Sequence, residues 1–182
     1  MTEQPPVPAG GYPPPPPPAG YQPPSPGAGW PPPPGQPVDD LPTEAYTSWI
    51  RRVGAYLIDY ILVMIVAVIS GVIAGLIDRV TSDATWTRIT DVIFNLTPLA
   101  FLIWNEGYRQ GTTGSSIGKS VLKFKVVSEK TGQPIGFGMS IVRQLAHIID
   151  GAICYIGYLF PLWDAKRQTI ADKIMTTICL PI

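Results

Sequence analysis

Arg51-Arg52-Val53-Gly54-Ala55-Tyr56-Leu57-Ile58-Asp59-Tyr60 runs directly into an apolar stretch that ends near Ile77, and between Val53 and Ile77 the one charged residue is Asp59. A helix rises about 1.5 Å per residue and a bilayer core is about 30 Å thick, so this stretch is long enough to cross one. A carboxylate facing lipid costs several kcal/mol, so Asp59 is expected to face protein or water. Arg52 and Asp59 are two helical turns apart and share a face, with Tyr56 and Ser70 on or near it. The reading is an all-α integral membrane protein with a polar seam.

The rest of the composition divides in two. The chain has 182 residues and no net charge, but its first 44 residues hold most of the proline and almost no aliphatic side chains. The proline runs at 13–18 and 31–34, punctuated by Tyr12, Tyr21 and Trp30, exclude helix and sheet because each proline fixes φ and removes a donor. Residues 1–44 are expected to be a disordered tail of polyproline II runs and flexible joints. Such a tail is either a ligand for a Pro-motif-binding protein or a solvated spacer. Residues 45–182 are too apolar for an ordinary soluble domain and form one folded unit. Cys154 and Cys179 lack metal-ligand spacing, and Cys154, in an apolar segment, is expected as a core thiol; no metal, cofactor or disulfide is expected. The N-terminus lacks the pattern of a secretory signal, so the first span is expected to act as its own targeting signal.

Three spans are expected, at about 53–77, 87–104 and 141–163, giving two to three transmembrane helices. Gly71 and Gly75 in the first span form a small-xxx-small pattern, expected to pack against the second span or, failing that, a second copy. In the second, Asp91, Asn95, Pro98, Leu102 and Asn105 form a stripe along one helical face. Lipid is a poor partner for Asp91, Asn95 and Asn105, so they are expected to meet the face of Arg52 and Asp59. Residues 106–143 read as a hydrophilic, basic loop in which 121–127 alternate like a strand, ahead of a turn at 128–132. The stretch from Gly114 to Ser120 resembles a phosphate loop but has Thr113 where that motif needs glycine. In the third segment Arg143, His147, Asp150 and Cys154 share a face, and Gly157 and Pro161 weaken the second half. Thr169 and Asp172 have the spacing of a helix cap, and a closing strand is expected at 176–180.

Basic residues flank the first span and fill the segment after the second, which puts the N-terminal tail and 105–143 in the cytoplasm. A full third crossing then places Lys166, Arg167 and Lys173 outside, against the same rule. The alternatives are a crossing that violates the rule, which is the expectation, and a broken or re-entrant segment buried in protein. The expected location is the cell (plasma) membrane, multi-pass.

Three motifs carry a family resemblance. Arg52-x-x-Ala55-x-x-Ile58-Asp59 resembles the opening signature of the RDD family of small membrane proteins. Ser116-Ile117-Gly118-Lys119, followed by Lys125-Val126-Val127 and a glycine-containing turn, is similar to that family's middle loop. Lys166-Arg167-Gln168-Thr169-Ile170-Ala171-Asp172-Lys173 with Thr177 resembles its closing motif. The likeness covers about 45–180. It implies that the family's arginine and two aspartates are Arg52, Asp59 and Asp172. The family often has histidine before the last aspartate; this chain has Ala171, so a proton-relay role at that position is not carried over. The proline-rich extension looks like actinobacterial members. The resemblance implies a poorly characterised protein for which transport of small ligands or ions has been suggested.

No enzymatic constellation stands out: the chain has one histidine and no nucleophile–base or metal-ligand set. No nucleic acid is expected as a partner. One functional expectation is transport of small ligands, cations or protons, as a homo-oligomer in lipid. Its candidate residues are Arg52, Asp59, Asp91, Asn95, Arg143, His147, Asp150 and Asp172, since ionisable groups in a membrane are functional candidates. The other is an accessory or scaffolding subunit of a membrane complex that uses the proline-rich tail as a binding arm. A purely structural role, in which the same groups glue the helices together, is the third.

Overall fold

The computed structural model describes residue 38 and residues 41–81 and 83–182. Most of the proline-rich segment, and with it the expectation of disorder, lies outside the described residues.

The apolar stretch forms α1 (Trp49–Val80), one unbroken helix of 32 residues. Ala55, Asp59, Ser70 and Ala74 are its buried positions, while Ile61, Ile65, Val68, Ile69, Val72 and Leu76 stand exposed. Only 11% of its most apolar stretch is covered by the rest of the chain. A surface of that size and composition is suited to hydrocarbon. Among the described residues α1 is the one helix that is long and apolar enough on its own to cross a membrane.

After a short connection, Asp83 starts α2 (Ala84–Leu102) by accepting from the backbone N–H of Thr85 at 2.7 Å and of Trp86 at 3.4 Å. α2 packs back along α1. It does not end at Trp104. A π-helical stretch, Ile103–Arg109, carries it into α3 (Gln110–Thr113), which stops at Gly114 with φ 83°. A regular helix of 3.6 residues per turn spreads three consecutive residues around its circumference. The wider π turn instead buries Asn105, Glu106 and Gly107 together.

The predicted loop at 106–143 is therefore largely helical: α4 (Ile117–Val121) follows, then strand β1 (Phe124–Ser128), then α5 (Phe137–Ala152). β1 is not half of a local hairpin. It pairs antiparallel with β2 (Thr177–Pro181), from Phe124 opposite Pro181 to Ser128 opposite Thr177. Alternation sorts this two-stranded sheet into two cores. Phe124, Val126 and Cys179 face Ala55 of α1, while Val127, Ile178 and Leu180 close on Val38 and Tyr46. Val38 and Leu41 thus belong to the folded part, ahead of the expected boundary at 44.

The third apolar segment, expected as a span at 141–163, is broken. α5 and the stretch Ile156–Leu162, which contains α6 (Ile156–Leu159), meet at 105°. The break falls at Cys154 and Tyr155, with φ of 54° and 62°, before Gly157 and Pro161. Cys154 is exposed there and is not a core thiol. The segment is held at its start to α3 and beyond its bend to the start of α1 and the end of β1. Gly136 N–H donates to the Gly111 carbonyl at 2.9 Å. At the far end Trp49 Nε1 donates to the Tyr158 carbonyl at 2.8 Å, and Lys166 pairs with Glu129, next to β1. The bent pair passes the length and composition test for a span only when its two parts are taken together. A last short helix, α7 (Ile170–Ile174), leads into β2.

Gly71 and Gly75 also depart from expectation. A Cβ at either would meet nothing within 4 Å, so the small-residue pair does not face α2.

Candidate functional site

Thr169 and Asp172 form a reciprocal capping box at the start of α7: Thr169 Oγ1 accepts from Asp172 N at 3.0 Å, and Asp172 Oδ2 accepts from Thr169 N at 3.3 Å. The carboxylate is also a hub. Arg143 on α5 donates to Oδ1 through Nε at 2.9 Å and Nη2 at 2.6 Å, and Arg52 on α1 donates to Oδ2 through Nη1 at 2.6 Å. Thr177 Oγ1 on β2 adds a bond at 3.1 Å. Asp172 is fully buried. Burial alone pushes its carboxyl upward; the guanidiniums of Arg143 and Arg52 outweigh that and hold it well below the usual carboxylate range. One side chain therefore ties α1, α5, α7 and β2 together.

Asp59 does not join this cluster. Its Oδ1 accepts from Asn105 Nδ2 and from Gly118 N, both at 2.8 Å, and its Oδ2 from Ser116 Oγ at 2.5 Å. Ile117 N in turn donates to Asn105 Oδ1 at 2.9 Å. This is why α4 lies hard against α1: a Cβ on Gly118 would overlap the Ala55 carbonyl oxygen and crowd the Asp59 carboxylate. Asp59 is 4% exposed, and each of these three donors is neutral.

A second polar layer runs on from Ser116. Lys119 Nζ lies 3.2 Å from Ser116 Oγ and 2.8 Å from Glu106 Oε2. Gln144 donates to the same oxygen at 2.7 Å, and Ser140 Oγ to the Glu106 carbonyl at 2.6 Å. At the end of α5, Asp150 Oδ2 lies 2.7 Å from His147 Nδ1. Its Oδ1 accepts from Ile170 N and Ala171 N at 3.1 and 3.3 Å, at the start of α7. The His147 ring stacks on Tyr158 at 5.5 Å. A Cβ on Gly157 would overlap Asp150, so the segment after the break can approach α5 only at a glycine.

The sequence profile of the RDD family matches residues 46–176. The chain belongs to the RDD family. The matched segment holds all three residues of the opening and closing motifs, Arg52, Asp59 and Asp172, and the exposed apolar surface of α1 agrees with a membrane protein of that family. This RDD protein is also 56% identical, over 159 residues, to the "Proline-rich antigen homolog" of Mycobacterium tuberculosis (strain H37Rv), covering 78% of this chain and 66% of the relative. It is 55% identical over 167 residues to the "Proline-rich antigen" of Mycobacterium leprae, covering 81% and 66%. The RDD protein spans about two thirds of the length of these relatives. No solved structure matches it.

Of the eight residues singled out from the sequence, Arg52, Arg143 and Asp172 of the RDD protein come together, and His147 pairs with Asp150. Asp59 stands in its own neutral cage. Asp91 and Asn95 are corrections: both are exposed, and among the described residues Asn95 Nδ2 donates to the Asp91 carbonyl of its own helix, at 2.7 Å. The π turn brings Asn105 of the same stripe to Asp59. Sequence reasoning missed Glu106, Ser116, Gly118, Gln144 and Thr177 as partners. The middle and closing motifs contain three of them, which is the signal that would have found those three.

Proposed function

We propose that this RDD protein is an accessory membrane subunit without catalytic chemistry, whose folded part seats the root of the proline-rich segment at the cytoplasmic face of the cell membrane. Val38 supports this reading. It is 2% exposed, its N–H donates to the Glu129 carbonyl at 2.8 Å, and it packs on Tyr46, Val127, Ile178 and Leu180. The residue that follows the proline runs is thereby fixed to the sheet that Asp172 ties to α1 and α5. A covalent tether needs no such seat; a binding arm presented in a set direction does. The chemistry of the segment fits a partner with an aromatic groove for polyproline II. The test is native mass spectrometry after mild detergent extraction. A second polypeptide in fixed stoichiometry with the full chain, absent from residues 38–182, is the expected result. An unchanged oligomer of this chain alone in both preparations overturns it.

Transport of protons or small cations is the second reading. It is favoured by Asp59, a buried carboxylate held by the neutral donors Asn105, Ser116 and Gly118. An ionisable residue at membrane depth is a candidate for an ion pathway. Vesicles reconstituted with the full chain should then show cation-driven proton flux that Asp59→Asn abolishes at equal incorporation. Flux no greater than in empty vesicles removes this reading.

A further inference from the structure

Arg88, Asp91 and Asn95 lie on α2 at spacings of three and four, so they form one face, and all three are exposed. Leu102, 41% exposed, continues that face two turns beyond Asn95. The covered side of α2, marked by Thr90, Phe94 and Phe101, is roughly a third of a turn away. Among the described residues neither Arg88 nor Asp91 forms an ion pair. An outward carboxylate on a helix beside the apolar α1 is costly toward lipid.

We infer that this face is the contact between two copies of the chain, α2 against α2 about a two-fold axis normal to the membrane. The charge pattern carries the assignment. A two-fold contact is isologous, so a face that meets itself must be self-complementary. Arg88 and Asp91 have opposite signs and are offset by about 4.5 Å along the axis. With each residue opposite its own copy, Arg88 reaches the partner's Asp91, and the partner's Arg88 reaches Asp91 in return. Asn95 meets itself at the axis, where an amide both donates and accepts, a usual glue between membrane helices. The apolar Leu102 closes the contact. The inference does not depend on either functional reading above.

The test uses the full chain in membranes with Cys154→Ser, Cys179 being buried. Leu102→Cys should give an oxidative cross-link between two copies, and Ile93→Cys, exposed on the far side of α2, should not. Charge then provides the second arm. Arg88→Asp leaves the face wholly acidic and Asp91→Arg leaves it wholly basic. Expressed alone, each should lower the Leu102→Cys cross-link by about tenfold or more. Expressed together under different tags, they should restore it as a mixed pair. The inference is overturned if Leu102→Cys cross-links no better than Ile93→Cys, or links to a different polypeptide. It is also overturned if the single charge variants pair with themselves as the unaltered chain does. The Leu102 and Ile93 comparison keeps both charges, so it decides the matter even where a charge variant fails to accumulate.

Discussion

Asp172 and Asp59 are both buried carboxylates, but their donors differ, and so do the expected consequences of change. Asp172→Asn leaves Arg52 and Arg143 without a counter-charge, and a loss of about 3–5 kcal/mol is expected. Arg52→Gln removes one charged bond while Arg143 still holds the carboxylate, so it should cost less, about 1.5–3 kcal/mol. Denaturant or thermal unfolding in detergent measures both. A double-mutant cycle should find coupling between Arg52 and Asp172, whereas Arg52 and Asp59 should add to within about 0.5 kcal/mol. The shared helical face of Arg52 and Asp59 suggests one unit, but their partners separate them. Asp172 also sets an acid limit. Its folded carboxyl lies below the usual range, so its contribution is complete above the unfolded value of about 3.9 and is lost as pH falls from there toward the folded value. The unfolding midpoint should fall below about pH 4, and fall less steeply in Asp172→Asn. Gly118→Ala should cost about 1–3 kcal/mol or more, because its Cβ is driven into the backbone of α1. A Gly118→Ala chain as stable as the parent would mean that α4 does not dock as described.

At the scale of elements, the bend between α5 and α6 decides which residues share an end of the molecule. β1 precedes the bent segment and β2 follows it, and the two strands are hydrogen-bonded. The segment therefore begins and ends at the same end of the molecule. Lys130 and Ala165, both exposed, should behave alike, and Thr85, at the far end of α1, should behave oppositely. In whole cells, single cysteines at positions 130 and 165 should resist an impermeant thiol reagent, while one at 85 should react. Labelling of 130 and 165 from opposite sides would restore a true third crossing. Gly157→Ala should disrupt the bend, because the added carbon overlaps Asp150; loss of accumulated protein measures this.

For the whole molecule, the two-stranded sheet is the clasp. Alone, two strands are marginal in water. Here one face is closed by Ala55 on α1 and the other by Val38 and Tyr46, so the sheet joins the N-terminal approach, the middle and the C-terminal end. Removal of residues 1–37 should leave the unfolding midpoint nearly unchanged. Val38→Ala should cost about 1–2 kcal/mol for its lost buried methyl groups, and a truncation that also removes Tyr46 should prevent stable folding. Limited proteolysis of the three proteins measures the order.

α1, the cap at Thr169 and Asp172 and both strands were legible in the chain because each rests on local spacing: an apolar run, a three-residue offset, a period of two. The opening and closing motifs likewise marked Arg52, Asp59 and Asp172. Their partners were not legible, since Arg52 meets Asp172 across 120 positions and helical spacing reports only which residues share a face. The π turn at Ile103–Arg109 was equally hidden, because burying three consecutive residues breaks the 3.6-residue period from which a buried stripe is read. It sent Asn105 inward and left Asp91 and Asn95 on the outside. The bend at Cys154 and Tyr155 was decided by the sheet, which holds both ends of the segment at one end of the molecule, and by Gly157, where contact with Asp150 leaves no room for a side chain.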